Sequence, residues 1–128
     1  MTVEELTGAA AMAALRERSV LQDGLLQKLE VEGGFDSEVS VTLTVIPRRE
    51  SPVEEARIRI SSLTRLDVAW DDSASHFYLV PGYKALLRDS GRVYVSLDPY
   101  DDRVESVDER DCFILEGESI SVGLRMKP

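Results

Sequence analysis

The sequence has little of the residues that disulfides, zinc sites and nucleophilic catalysis require. Its 128 residues include one cysteine, Cys112, and one histidine, His76. A single cysteine forms no disulfide within the chain, which is typical of proteins from a reducing compartment. One histidine and one cysteine also supply too few nitrogen and sulfur ligands for the usual zinc sites. The sequence therefore predicts no internal disulfide, no metal site and no cofactor.

Long apolar runs and a basic amino-terminal segment are missing as well. No apolar run approaches the roughly 20 residues that a membrane-spanning helix needs. Residues 1–6 carry two glutamates, where a secretory signal would carry basic residues. The formal net charge of −9 opposes attraction to nucleic-acid phosphates and to anionic lipid surfaces. We therefore expect a cytoplasmic protein that binds neither nucleic acid nor membrane.

What the sequence does contain is typical of a globular domain. Hydrophobic residues make up 43% of the chain and charged residues 30%, proportions that match folded soluble domains. A chain of this length buries roughly two-thirds of the surface that it exposes when unfolded. We predict a single domain that spans residues 1–128.

The first segment has a helical pattern. Thr2 and Glu5 have the spacing of a capping box, and most residues of 3–18 are good helix formers. Met12 and Leu15 lie on a different side from the main small and apolar face. That face carries Val3, Leu6, Ala10, Ala13 and Ala14. The pattern predicts a helix over about 3–18. Because the helix is apolar on two sides, its second side either packs in a groove of its own domain or meets another chain, and a homodimer to which the helix contributes is the second of these expectations.

From about residue 25 to 126 the pattern changes to the alternation of β-strands. In the clearest strand, Val41, Leu43 and Val45 alternate with polar residues. Breaks are predicted near Ser61 and at a terminal hairpin turn of Glu116 and Gly117. The fold class is mainly β (α+β), with about eight short strands and one amino-terminal helix. The architecture is an antiparallel barrel or a two-layer sandwich.

The acidic loop, residues 98–111, is the most unusual segment. It holds seven carboxylates against two arginines and lies between two predicted strands. Calcium binding would need a glycine and a closing glutamate in an order that this loop lacks. A dense set of carboxylates instead suits the surface of a basic protein partner. The predicted partner-binding residues are Asp98, Tyr100, Asp101, Asp102, Glu105, Asp108 and Asp111.

A second site is the alternative. Trp70, Asp71, Asp72 and His76 could form a pocket in a small ligand-binding barrel or a hydrolase-like enzyme, with carboxylates beside an aromatic platform. The sequence has no Gly-x-Ser-x-Gly elbow to present a nucleophilic serine. Trp70 is also in phase with the apolar residues of its strand, which favours packing in the core. We therefore predict that the protein is not an enzyme.

Three segments carry a resemblance that covers most of the chain. They are Gln22-Asp23-Gly24, the run from Leu66 to Trp70, and the end of the sheet from Glu116 to Val122. In this order the segments resemble small acidic β-rich bacterial domains, some of unknown function and others immunity proteins of polymorphic toxin systems. The resemblance implies a binding function, that of an immunity-type inhibitor, and transfers no catalytic residues.

Overall fold

The computed structural model describes residues 3–68 and 78–128, apart from the side chain of Tyr78. Within these ranges the protein has eight strands and one helix, which confirms the predicted mainly β class. In chain order the elements are β1 (Val3–Thr7), α1 (Gly8–Glu17), β2 (Leu25–Glu32), β3 (Ser40–Ile46), β4 (Val53–Asp67), β5 (Tyr78–Leu79), β6 (Lys84–Leu87), β7 (Val93–Asp98) and β8 (Cys112–Met126).

The strands form one antiparallel sheet. Seven of them follow the order β5-β2-β3-β4-β8-β7-β6, and β1 pairs with β8 off that path. The carboxyl-terminal half of β8 pairs with β1, and its amino-terminal half pairs with β7. In the described residues β5 and β6 end the path without pairing with each other. The sheet is therefore not closed into a barrel and is consistent with a two-layer sandwich.

The central strands β4 and β8 are longer than the sequence predicted. The predicted break near Ser61 is wrong, because β4 continues through it with a positive φ of 50° at Ser62 and a register shift after Leu63. The predicted terminal hairpin is also wrong. A Cβ atom on Gly117 would lie 2.6 Å from Ile60 Cγ2. Gly117 therefore allows two strands to approach closely inside the sheet, rather than turning the chain.

The amino-terminal helix is shorter than predicted. Residues 3–7 form β1, whose pairing with β8 overrides the local helix propensity, and α1 begins at Gly8 with a φ of 56°. Leu15 is fully buried in its own chain and Met12 packs against the core. The predicted homodimer was inferred from a helix with two exposed apolar sides, and the structure does not show such a helix among the described residues. The homodimer stays a prediction. In the part of the chain that the structure describes, no helix is long and apolar enough to span a membrane.

The core lies between the inner faces of the sheet and α1. The helix contributes Ala11, Ala14 and Leu15, and the strands contribute mostly β-branched and leucine side chains. Such side chains pack well on a pleated surface. The fully buried strand residues with the largest side chains are Leu26, Leu43, Ile58, Ile60, Tyr94, Leu97, Ile114, Leu115 and Leu124.

Candidate functional site

The acidic loop leaves the sheet at the end of β7 and returns at the start of β8. Asp98 is the last residue of β7, and Asp111 immediately precedes β8. Most side chains between them are exposed, and Tyr100 exposes 60% of its surface. The loop thus presents the carboxylates that the sequence singled out on the surface of the protein, with one exception, Asp111.

Asp111 points into the protein, where it accepts hydrogen bonds from both side chains and backbone. Its side chain is 0% exposed and that of Lys84 is 2% exposed. Lys84 Nζ lies 3.1 Å from both carboxylate oxygens of Asp111, and Tyr94 Oη donates to Oδ2 at 2.7 Å. The backbone N–H groups of Tyr100 and Asp108 donate to the same carboxylate at 3.0 and 3.1 Å. Asp111 therefore ties two points of the acidic loop to the sheet.

Lys84 adds a third tie. It is the first residue of β6, and its Nζ also donates to the backbone carbonyl oxygen of Ser106 at 2.9 Å. A buried ammonium and a buried carboxylate are costly unless their hydrogen-bonding groups find partners. Here Lys84 has three acceptor contacts and Asp111 has four donor groups. The ion pair fixes the middle of the loop as well as its end.

The pKa values of the buried acids fit this arrangement. Burial alone would raise the pKa of Asp111, but the hydrogen bonds from Tyr94, the Tyr100 amide and Lys84 outweigh it and lower the pKa below its usual value. Burial, the Asp111 hydrogen bond and the Asp111 charge raise the pKa of Tyr94 far above its usual value. Asp111 is thus ionised and Tyr94 stays a donor at neutral pH.

Two turns of the same design shape the exposed part of the loop. In the first, Asp101 accepts hydrogen bonds from the Arg103 amide at 3.0 Å and from its Nε at 3.1 Å. In the second, Asp108 accepts from the Arg110 amide at 2.9 Å and from its Nε at 3.0 Å. The Arg110 hydrogen bonds lower the pKa of Asp108 to about 2. Arginine therefore neutralises two of the loop carboxylates locally.

Arg110 also contacts the aromatic ring of the loop. Its guanidinium carbon lies 3.6 Å from the centre of the Tyr100 ring, within the range of a cation–π contact. The Tyr100 amide is bonded to Asp111. Arg110 therefore contacts the face of the Tyr100 ring, and Asp111 holds the backbone of the same residue. This arrangement fits the predicted role of Tyr100 as an aromatic contact.

The remaining carboxylates of the loop form the available negative surface. Asp98, Asp102, Glu105 and Glu109 are exposed and form no ion pair with another described residue. Glu109 was missing from the predicted set. Asp111 belonged to that set, but the structure places it inside as the loop anchor. Asp111 is buried, unlike the other predicted carboxylates, because it pairs with Lys84, which lies 27 residues before it in the sequence.

A groove runs beside the acidic loop. It has a volume of about 850 Å³, and its walls come from α1, β6 and loop residues 102 and 104–107. Asp102 lines the groove and packs against Gly82. A Cβ atom on Gly82 would lie 2.5 Å from Asp102 Oδ2. The acidic loop therefore offers exposed carboxylates and also forms one side of a groove.

The alternative pocket predicted around Trp70 lies outside the part of the chain that the structure describes. Trp70, Asp71, Asp72 and His76 lie outside the described residues. Among residues 3–68 and 78–128, no group of three or more histidine, cysteine or acidic side chains is arranged to hold a metal ion. Cys112, at the start of β8, is a free and exposed thiol. The described site is thus the acidic loop and its groove.

Comparison with known proteins adds no family. No family model matches the chain, and no curated protein and no solved structure matches it significantly.

Proposed function

We propose that the protein is a non-enzymatic binding domain whose acidic loop contacts a basic surface of a partner protein. The observation that carries this proposal is the internal anchoring of the loop by Asp111 and Lys84, which holds on one exposed segment four carboxylates that form no ion pair among the described residues. Pre-ordering a binding loop lowers the entropy lost on association. A net charge of −9 raises the rate of encounter with a basic partner.

The proposed contact surface consists of Asp98, Asp102, Glu105, Glu109 and Tyr100. Asp101 and Asp108 support it through the arginine turns, and Asp111 supports it from inside. Aromatic side chains are frequent energetic centres of interfaces. Tyr100 is exposed and held in place by Arg110. It is the residue of the surface most suited to contribute apolar contact area.

We further propose that the partner is a basic toxin and that the chain acts as an immunity-type inhibitor in the cytoplasm. A protein that acts on nucleic acid needs a basic surface to bind phosphates. A fixed row of carboxylates suits that surface because its charges have the same sign as a phosphate backbone. The single free cysteine agrees with a reducing compartment.

The test compares two variants that lose the same number of charges. One carries Asp98→Asn, Asp102→Asn, Glu105→Gln and Glu109→Gln; the other carries Glu32→Gln, Asp36→Asn, Glu50→Gln and Glu118→Gln, at exposed positions outside the loop. The partner is first captured from the host with the immobilised chain and identified by mass spectrometry. Stopped-flow mixing then gives the association rate at several salt concentrations.

We expect the loop variant to associate about tenfold more slowly at low salt, with a smaller dependence on salt. The control variant should change much less, because its lost charges lie away from the interface. Equal slowing of both variants would mean that only net charge matters. Unchanged rates in the loop variant would remove the acidic loop from the interface.

A further inference from the structure

One edge of β6 pairs with no strand among residues 3–68 and 78–128. β6 pairs with β7 on one side and ends the strand path on the other. Seven consecutive residues, 83–89, line the groove beside it. Side chains of one strand face alternate sides of a sheet. A groove lined by every residue in succession therefore runs along the strand edge, where backbone groups are accessible.

The hairpin fixes which backbone groups point into that groove. Arg88 N–H donates to the Arg92 carbonyl oxygen at 2.8 Å, so Arg88 is a hydrogen-bonded position of the β6–β7 pair. Bonded and non-bonded positions alternate along an antiparallel pair. Leu87 pairs opposite Val93 and Ala85 opposite Val95, both at non-bonded positions. The N–H and C=O groups of Ala85 and Leu87 consequently point away from β7.

The groove walls combine apolar surface with charges of both signs: Arg16 lines the groove at the α1 side, and Asp102 and Glu105 line it from the acidic loop. Leu87, Val104 and Val107 are 44%, 41% and 42% exposed. Asp102 and Glu105, which line the groove from the acidic loop, form no ion pair among the described residues. The guanidinium of Arg88, which also lines the groove, is engaged by Glu116 at 3.3 Å. Apolar side chains and cationic side chains would both find complementary surface here.

We propose that this groove binds an extended segment of a basic protein, which pairs with β6 as an added strand. The segment carries alternating apolar and basic residues. Its backbone bonds to Ala85 and Leu87, its apolar side chains pack on Leu87, Val104 and Val107, and its basic side chains meet Asp102 and Glu105. Strand addition of this kind takes affinity from the backbone and selectivity from alternate side chains. This inference rests on the proposed function and names how the partner is held.

The test uses a defined probe, the fluorescent peptide Lys-Val-Lys-Val-Lys-Val-Lys, and the full chain. The informative variant is Ala85→Pro. Proline removes only the outward N–H, and it is tolerated in edge strands where that group faces solvent. A Glu105→Gln/Asp102→Asn variant removes the charge but leaves the edge intact. Fluorescence anisotropy gives the affinities, and native-state amide exchange follows Ala85 and Leu87.

We expect exchange at both amides to slow at least tenfold in the wild-type chain when the peptide is bound. Ala85→Pro should weaken binding at least tenfold, and a peptide with proline at its central valine should bind at least tenfold more weakly. The amide measurement stands alone if Ala85→Pro fails to fold. Absence of binding, or binding without protection of Ala85 and Leu87, would overturn the inference.

Two other outcomes separate this inference from the proposed function. If Ala85→Pro binds normally while Glu105→Gln/Asp102→Asn binds weakly, the loop contacts basic segments without strand addition, and only the edge inference fails. If the two amides become protected as the chain is concentrated without peptide, a second copy occupies the edge. That result would also contradict the proposed occupant.

Discussion

Two loops of this protein carry exposed acids and an exposed aromatic residue, but they are supported very differently. The loop between β2 and β3, residues 33–39, bears Asp36, Glu38 and a fully exposed Phe35, and every residue in it is exposed. The acidic loop bears Tyr100 and seven carboxylates, and one of these, Asp111, is buried in hydrogen bonds. The surfaces are chemically similar, but only the acidic loop has a carboxylate buried among hydrogen-bond donors.

The difference lies in where the carboxylates direct their hydrogen-bonding capacity. In the β2–β3 loop, the Glu38 carboxylate accepts from the Ser62 hydroxyl at an exposed position. In the acidic loop, carboxylates accept from backbone amides at four places, namely Tyr100, Arg103, Asp108 and Arg110. Each such bond fixes a backbone segment rather than a mobile side-chain end. In the acidic loop, part of the carboxylate hydrogen-bonding capacity therefore fixes the backbone of the loop itself.

The largest expected effect comes from breaking the buried anchor. Asp111→Asn keeps the shape of the side chain but leaves the Lys84 charge buried without its counter-ion. We expect the free energy of unfolding to fall by about 3–5 kcal/mol. Asp36→Asn, the matched change in the β2–β3 loop, should shift it by less than about 0.5 kcal/mol. Urea unfolding followed by circular dichroism measures both, and similar losses would remove the distinction between the loops.

Removing both charges sharpens the same comparison. The double variant Lys84→Met/Asp111→Asn leaves no buried unpaired charge. Its loss of stability should be smaller than the sum of the two single losses by at least about 1 kcal/mol. A double-mutant cycle in urea measures this coupling. Additive losses would show that Lys84 and Asp111 act independently.

The effect of Asp111 on stability should depend on pH. Its pKa in the folded protein lies below the value of about 3.9 expected for an unfolded aspartate. A lowered folded pKa contributes stability that is fully present above the unfolded pKa and is lost as the pH falls through the folded pKa. The stability difference between the wild type and Asp111→Asn should therefore be constant above about pH 5 and shrink below about pH 4. Unfolding at pH 7, 5, 4 and 3 tests this, and a difference that grows in acid has the wrong sign.

A smaller loss is expected from the hydroxyl of Tyr94. Tyr94→Phe removes the 2.7 Å hydrogen bond to Asp111 and changes no charge. A hydrogen bond to a charged group contributes about 2 kcal/mol, and we expect a loss of that size. Tyr100→Phe is the matched control, because the exposed ring is held through its amide and its face. Thermal unfolding should separate the two variants clearly; equal midpoints would mean that the Tyr94 hydroxyl adds nothing.

The smallest effect should come from the exposed turns. Arg110→Gln removes the side-chain bonds to Asp108 and the contact with Tyr100, whereas Arg103→Gln removes only the bonds to Asp101. Neither should change global stability measurably, because both arginines are exposed. Arg110→Gln should alter the order of the Tyr100 ring, which nuclear magnetic resonance detects, and Arg103→Gln should leave the ring unchanged. Equal effects would argue against the cation–π contact.

Local alternation was enough to predict much of the sheet. β3 follows it, because the alternating side chains of Val41, Leu43 and Val45 pack in the core. The errors arose where distant residues decide the structure. β1 is a strand because β8 offers it an edge, and Gly117 lies within a strand because Ile60 approaches it. Neither partner is visible from the local sequence.

The acidic loop shows the same limit for the site. The exposure of the acidic loop was predictable from the run of acids between two predicted strands. The burial of Asp111 was not, because it requires Lys84 and Tyr94 from the neighbouring hairpin. One signal was available: Asp101-Asp102-Arg103 and Asp108-Glu109-Arg110 repeat the same pattern. That repeat marks the two carboxylates that arginines neutralise, and it leaves Glu109 exposed and unpaired among the described residues.

The most direct test of the account compares Asp111→Asn with Asp36→Asn in binding to the captured partner. Each variant loses one negative charge, and both are measured where circular dichroism shows that they are folded. If the anchored loop forms the interface, Asp111→Asn should weaken binding about tenfold or more through lost pre-organisation, while Asp36→Asn should leave the affinity nearly unchanged. Equal affinities for the two variants would contradict the claim that the buried anchor prepares the acidic loop for its partner.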